Sequence, residues 1–351
     1  MSNATVLCGY KRSPFTFAGK GALKATRPDD MSAAVIRAML DETGIDPQDC
    51  EDLLMGNAFP EAEQGFNLGR IVGQLAGLPS SVAGATLNRF CGSSMTTIHI
   101  AAGYLQLGAG NAYITAGAES MTRVPMGGFN PMPNPRLIDE YPQAYISMGE
   151  TAENLANKYN ISRRAQDEFA YASHKKAAKA QDNAGFDDEI VEIDGVAKDG
   201  CVRPDTSVEK LGELNPAFDS RGSVTAGSSA PLTDGAAAVL VASEDYAREK
   251  DLPILAYVRS VAVAGCDAEI MGIGPVSATN KALARAGLSL GDIDIIELNE
   301  AFAAQSLAVI EELGIDRDKL NVDGGAIALG HPLGASGARI TGKLASLLNR
   351  E

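Results

Sequence analysis

The chain is short of cysteine, of histidine and of positive charge. Its five cysteines, Cys8, Cys50, Cys91, Cys201 and Cys266, lie far apart and form no Cys-x-x-Cys pair. An odd, scattered set supplies neither a disulfide framework nor a zinc site, and it suits a reducing cytoplasm, the expected location. Lys and Arg total 30 against 45 Asp and Glu, a net charge of -15. That balance leaves no basic face for nucleic acid and none for an anionic membrane surface. An anionic ligand would need local contacts. The longest apolar runs are broken by Gly, Gln or His, so none has the length of an integral membrane segment. The opening Met1-Ser-Asn-Ala-Thr5 has no basic stretch followed by an apolar one, so no secretory signal is expected.

What is present is globular. Hydrophobic residues make up 45% and charged residues 21%, which excludes wholesale disorder. A length of 351 residues implies two or three packed units. The first third alternates strand and helix signals. Strands are expected at 5–10, 52–55 and 112–116, and helices at 30–43 (with Gly44 as C-cap), 67–78 and 91–107. This alternation predicts an α/β architecture. Residues 124–136 hold four prolines and read as an irregular excursion. Helices are expected at 147–156 and 162–180, and 186–222 reads as a polar, acidic loop. An apolar strand at 236–242 returns the chain to the core. The alternation resumes near Pro253, with a strand expected at 293–298.

An internal echo runs through the sequence. Gly44-Ile-Asp, Asp49 and Asn57-Ala-Phe59 reappear as Gly287-Leu-Ser, Asp292 and Glu300-Ala-Phe302 at an offset of 243 residues. The helix opening at Cys91 is matched to one following His331, at an offset of 240. The simplest reading is two similar halves about a pseudo-dyad, with a loop domain inserted late in the first. The boundaries are 1–119 for the N-terminal half and 120–235 for the loop domain. Residues 236–250 form the returning strand and helix, and 251–351 the C-terminal half.

Two residues stand out as chemistry. Cys91, in Asn88-Arg-Phe-Cys-Gly-Ser-Ser-Met95, is expected at a helix start, where free N–H groups and the dipole lower a thiol's pKa. The bland alternative is a small buried hydrophobe, which is accepted for the other four cysteines. His331, in Gly324-Gly-Ala-Ile-Ala-Leu-Gly-His-Pro-Leu-Gly-Ala-Ser-Gly337, is kept out of helical geometry by Pro332. If the halves pack back to back, the imidazole faces the thiol in an activated-nucleophile arrangement. The glycines fit neither the dinucleotide fingerprint nor the P-loop. Asn299-Glu-Ala-Phe302 could orient a water, with a helix N-cap as the default reading. His99 reads as a satisfied core residue, His174 as part of a solvated helix, and Asp187-Asp-Glu189 as a solvated acidic turn. Two other enzyme classes fail on counting. A two-histidine ketoacyl synthase needs a second late His, and a papain-type protease needs Asn after His.

Taken together, Asn88-Arg-Phe-Cys-Gly-Ser-Ser94, Ala116-Gly-Ala-Glu-Ser-Met121, Asn299-Glu-Ala-Phe-Ala303 and the run 324–337 resemble the thiolases. The resemblance spans the chain. Met148-Gly-Glu-Thr-Ala-Glu-Asn154 and Met271-Gly-Ile-Gly-Pro275 look closest to the degradative acetyl-CoA C-acyltransferase (3-ketoacyl-CoA thiolase) group, and Ser147 stands where many biosynthetic relatives have His. The resemblance implies a five-layered αβαβα fold, normally a homodimer or homotetramer, acting in fatty-acid β-oxidation, with a possible multienzyme partner. It implies thiolytic cleavage of 3-ketoacyl-CoA through an acyl thioester on Cys91. His331 would be the base and Asn299 would hold a water. Met148, Met271, Ala301 and Phe302 would line the substrate channel. The loop domain would hold coenzyme A, which is a substrate, through Ser223, Ala226 and Ser229, with no permanent cofactor and no metal. Ala230 stands where relatives often have a Ser. The family pattern continues past the last helix into a strand, a Cys-containing loop and a final strand. This sequence stops at Glu351 with no cysteine after His331, so the C-terminal half is expected to be incomplete. That departure keeps open a second reading, a catalytically impaired CoA-ester-binding or structural subunit.

Overall fold

Residues 4–350 are described by a computed structural model. Seven strands form one mixed sheet: β1 Thr5–Arg12, β2 Thr16–Phe17, β3 Cys50–Gly56, β4 Ala83–Leu87, β5 Ala112–Ser120, β6 Thr233–Ser243 and β7 Ala256–Tyr257. Their order is β4-β3-β5-β6-β1-β7, and β2 pairs with β6. β3 runs parallel to β4 and β5, as βαβ crossovers require, while β6 is antiparallel to β5 and β1.

Burial on both faces explains the continuous apolar runs in these strands. In β6, Ala236, Ala238, Leu240 and Ala242 pack on the face covered by α1 (Pro28–Thr43) and α2 (Leu68–Leu75), whereas Ala237, Val239 and Val241 pack on the opposite face. That opposite face is covered by α3 (Ser93–Gln106) and the helix Ser336–Arg350, through Ile98, Ala101, Leu105, Ala338 and Ala345. A bulge between Leu7 and Gly9 resets the alternation of β1, so Tyr10 joins Leu7 on the α3 side. Helices Gly274–Ala286 and Ala303–Leu313 pack in a separate cluster, through Val276, Leu307 and Ile310. This layering is consistent with the five-layered α/β expectation.

The pseudo-repeat is structural. The 3-10 turns Pro47–Asp49 and Leu290–Asp292, the turns Phe90–Gly92 and Leu333–Ala335, and the helices starting at Ser93 and Ser336 all recur 243 residues apart. Gly44 and Gly287 close matching helices, both at φ 69. The offset of 240 expected for the last pair is therefore corrected to 243. Gly334 is the counterpart of Cys91, and Asn88 is the counterpart of His331. The halves meet at backbone distance. A Cβ on Gly337 would lie 2.2 Å from Met95 N, and one on Gly334 would lie 2.5 Å from Ala118 O.

The strand expected at 293–298 does not form. Its ladder is reduced to one parallel bridge, Ile296 to Leu320. The pairing stops there because the next partner is a side chain: Leu298 N donates to Asn321 Oδ1, and Asn321 Nδ2 donates to Leu298 O, both at 2.9 Å. Two further expectations fail together. His174 is buried, accepting from Arg203 N at 3.2 Å, and Glu189 is buried against Arg12 at 2.8 Å. Arg12 is itself fully buried and grips Asp199 through two bonds of 2.7 and 2.8 Å. The acidic loop thus supplies carboxylates to an interior cation. The helices expected from Ser147 and Ser162 form as Met148–Lys158 and Arg163–Asp182, each serine capping its helix. Among the described residues no helix is long and apolar enough to cross a membrane.

Candidate active site

β4 delivers the chain to the turn Phe90–Gly92, which puts Cys91 just ahead of α3. The turn is bent sharply. Phe90 has φ 45, a left-handed conformation that costs a non-glycine residue of order 1 kcal/mol. Asn88 Oδ1 accepts from Phe90 N at 2.8 Å and Ser93 Oγ from Arg89 N at 2.9 Å, holding the bend. Cys91 is half-buried. Burial pushes its thiol up to about 12, and the charge of Glu119 pushes the same way. Cys91's own N–H opposes them, so the helix-start effect expected from the sequence is present but outweighed.

His331 follows Gly330, whose φ of 110 turns the chain beneath Thr233; His331 N donates to Thr233 Oγ1 at 3.0 Å. Both ring nitrogens are engaged. Asn299 Nδ2 lies 3.3 Å from Nε2, and Ser336 Oγ lies 2.6 Å from Nδ1. An amide nitrogen can only donate, so Nε2 accepts, and Nδ1–H donates to Ser336. Ser336 in turn donates to Pro332 O at 3.1 Å. Burial, followed by the charge of Arg339, pulls His331 down to about 4. At neutral pH the thiol and the imidazole are therefore both uncharged.

Cys91, Asn299 and His331 open on one cavity of about 970 Å³, and Met148, Met271, Ala301 and Phe302 also line it. No hydrogen bond joins the thiol to the imidazole among the described residues. Ser223, Ala226 and Ser229 do not line the cavity. Ser223 N donates to Glu153, Ser229 Oγ to Thr225 O, and Ala226 is exposed. Their loop reaches the cavity through its next residues, Ala230, Pro231 and Leu232. His99, expected in the core, is half-buried and lines the cavity.

Sequence reasoning missed Ser336 and Glu119. Ser336 is five residues beyond His331, and a short turn before a helix was the available signal. Glu119 sits inside a quoted motif, yet its task is only visible in three dimensions. Its buried carboxylate accepts from Ala58 N at 2.9 Å and Phe59 N at 3.2 Å in one half, and from Gly334 N at 3.0 Å in the other. It ties the segment that follows β3 to the turn that follows His331. Among the described residues no cluster of three or more His, Cys, Asp or Glu side chains is arranged to hold a metal ion.

The thiolase N-terminal domain matches residues 5–245 and the thiolase C-terminal domain residues 252–351. The 3-ketoacyl-CoA thiolase of Bacillus subtilis (strain 168) is 46% identical, over 97% of this chain and 91% of its own length. That of Pseudoalteromonas translucida (strain TAC 125) is 46% identical, over 99% and 92%. The crystal structure of human mitochondrial 3-ketoacyl-CoA thiolase in complex with CoA superposes with a TM-score of 0.91 at 37% identity, covering 99% of this chain and 92% of that one. The Bacillus anthracis acetyl-CoA acetyltransferase superposes at 0.90 with 38% identity, covering 99% and 93%. With the motif residues gathered on one cavity and both domains matched, the chain belongs to the thiolase family.

Proposed function

We propose that this chain is an acetyl-CoA C-acyltransferase that cleaves 3-ketoacyl-CoA with coenzyme A, as the names of its relatives indicate for them. The observation that carries the proposal is the meeting of Cys91, His331 and Asn299 in one largely apolar cavity. As Cys91 Sγ bonds to the 3-keto carbon, its proton passes to the unprotonated Nε2 of His331. The Cα–Cβ bond breaks and its electron pair leaves as the enolate of acetyl-CoA, which takes up the proton held at Nε2. The thiol of coenzyme A then gives its proton to Nε2 and displaces the acyl group from Sγ, which recovers that proton. Splitting the transfer through a thioester predicts ping-pong kinetics.

Proton uptake at Nε2 ends its bond from Asn299 Nδ2 and frees that amide for an oxygen of the substrate. Asn299 Oδ1 is buried without a partner. A half-turn of the amide would present it to the new Nε2–H, so one side chain serves both protonation states of the ring. Coenzyme A is a substrate in this scheme, with no permanent cofactor. The loop carrying Ser223, Ala226 and Ser229 would bind it at the rim, and Ala230 to Leu232 would meet the acyl end. The division of the chain at 119, 235 and 250 is retained as part of the proposal. So are a cytoplasmic location, supported by five unpaired cysteines, and a role in β-oxidation as a homodimer or homotetramer, with a possible multienzyme partner.

One observation favours a second reading, a CoA-ester-binding subunit without turnover: among the described residues Cys91 is the only cysteine lining the cavity. Incubation with a 3-ketoacyl-CoA, read by intact mass, separates the two. A thioester on Cys91 that coenzyme A discharges supports the enzyme. Tight binding with neither adduct nor product supports the subunit. An adduct on Cys91→Ala would remove Cys91 from the role.

A further inference from the structure

The elements that carry Asn299 and Ser336 are also joined by a second pair, whose groups are left half-satisfied. Glu297, two residues before Asn299, lines the same cavity, and its side chain is 2% exposed. Arg339 stands three residues beyond Ser336 on the same helix and is equally buried, donating from Nη1 to Glu297 Oε2 at 2.9 Å. The remaining oxygen of Glu297, Oε1, and the remaining nitrogen of Arg339, Nη2, are both buried without partners. A buried ion pair with idle groups on each member is a poor device for stability, and apolar replacements of similar volume are often at least as stable. The pair nevertheless joins the two elements that hold the imidazole: Asn299 lies on the segment of Glu297 and Ser336 on the helix of Arg339, and Glu297, Asn299, His331 and Ser336 all line the one cavity.

We propose that Glu297 is a positioning residue for the base, its carboxylate offsetting the Arg339 charge so that His331 can accept the proton of Cys91. The proposal rests on the reading of His331 as that base. Arg339 opposes a positive imidazole. Without a counter-charge, the thiolate–imidazolium state would form inside an unbalanced positive field. The other charged groups around this point are Glu300 on the same segment, Lys343 on the helix, Glu189 from the loop, and Glu119 on the side of Cys91. Tyr10 of β1, its hydroxyl buried and unpartnered, faces both Glu297 and Arg339. Glu300 and Glu189 are already committed to neighbours, Glu300 to Ser173 and Asn321, Glu189 to Arg12 and Lys343. Among these carboxylates, Glu297 is the one bound to Arg339.

The test is the rate of iodoacetamide alkylation of Cys91 across pH in the full chain, read by mass spectrometry and independent of turnover. Burial pushes the Glu297 carboxyl up to about 7, so the comparison is made above that pH, where Glu297→Gln should lower the rate about tenfold, the equivalent of one pKa unit. Glu297→Asp should recover most of the loss. Glu297→Gln combined with Arg339→Met should recover it too, because the unbalanced charge is gone. A Glu297→Gln profile that superimposes on the parent's, or a double variant as slow as the single, would overturn the proposal. His331→Ala serves as the control. If it leaves the profile unmoved, the assignment of His331 fails, whatever Glu297 does.

Discussion

Ser336 Oγ lies 2.6 Å from His331 Nδ1, so the hydroxyl that opens the last helix is also the anchor of the imidazole. Its own proton is directed to Pro332 O, which fixes the direction of the whole relay. Ser336→Ala would leave Nδ1–H buried and unpaired. Losing such a buried bond costs about 1–3 kcal/mol, so acylation of Cys91 should slow by roughly tenfold to a hundredfold with little change in substrate affinity. Single-turnover kinetics would measure it, and an unchanged acylation rate would refute the anchoring role.

His331→Ala should change the shape of the pH profile as well as the rate. In the parent, the ring is uncharged above about 4 and the thiol is protonated up to about 12. Alkylation aided by transfer to the ring should therefore be nearly flat from about 7, where burial holds the Glu297 carboxyl, up to about 12, and fall as acid protonates first Glu297 and then the imidazole. Without the imidazole, only direct ionisation remains, and the rate should climb about tenfold per pH unit toward the alkaline end. A flat profile for the variant would show that another base acts.

Glu119→Ala should destabilise the fold by about 3–5 kcal/mol. It strands Ala58 N, Phe59 N and Gly334 N in the interior at once. Urea unfolding monitored by circular dichroism would report the loss. A change below about 1 kcal/mol would mean that water or repacking satisfies those donors.

Gly337→Ala should destabilise by about 1–3 kcal/mol, because the new methyl meets the Met95 backbone and not a side chain that can swing away. The same substitution at Gly103, on the neighbouring helix with open space around it, should be neutral or slightly stabilising. Equal effects at the two sites would contradict the close approach of the helices.

Acid should weaken the protein through His174. Its folded pKa of about 4 lies below the ordinary 6.5, mainly because burial disfavours the charged ring. Between those values the unfolded chain binds more protons, so stability falls as pH drops from about 6.5 to about 4. His174→Gln should flatten that part of the Tm curve, although it sacrifices some stability at neutral pH. A His174→Gln curve parallel to the parent's would show that this ring does not titrate on unfolding.

The strands of the first half were legible because burial on both faces writes them as unbroken apolar runs, as in Thr233–Ser243. The helix ends were legible where a single residue type decides them, as with Ser147, Ser162 and Gly44. Residues 293–298 carry Ile or Leu at four of six positions, yet a strand also needs neighbours that offer their hydrogen bonds, and Ile296 has only Leu320. His174 and Glu189 were misplaced for a related reason. A polar stretch reads as solvated unless the partners are known, and those partners, Arg203 N for the ring and Arg12 for the carboxylate, come from distant parts of the chain.

The sequence by itself determined the chemical vocabulary: a cysteine in a Gly-Ser-Ser turn, a His-Pro turn among glycines, an Asn-Glu-Ala-Phe segment, and a repeat that paired the two halves. These are local, because turn geometry and helix starts depend on a few adjacent residues. Tertiary structure alone decided the protonation state of the pair. Burial raises the Cys91 thiol and depresses His331 where an isolated helix start would have favoured a thiolate. It also decided who holds whom: Ser336 the imidazole, Glu119 the segment after β3 and the turn after His331, Arg339 and Glu297 each other. Desolvation and charge pairing depend on what surrounds a group in space, and residues 42 apart in sequence, like Glu297 and Arg339, become neighbours only when the chain has folded.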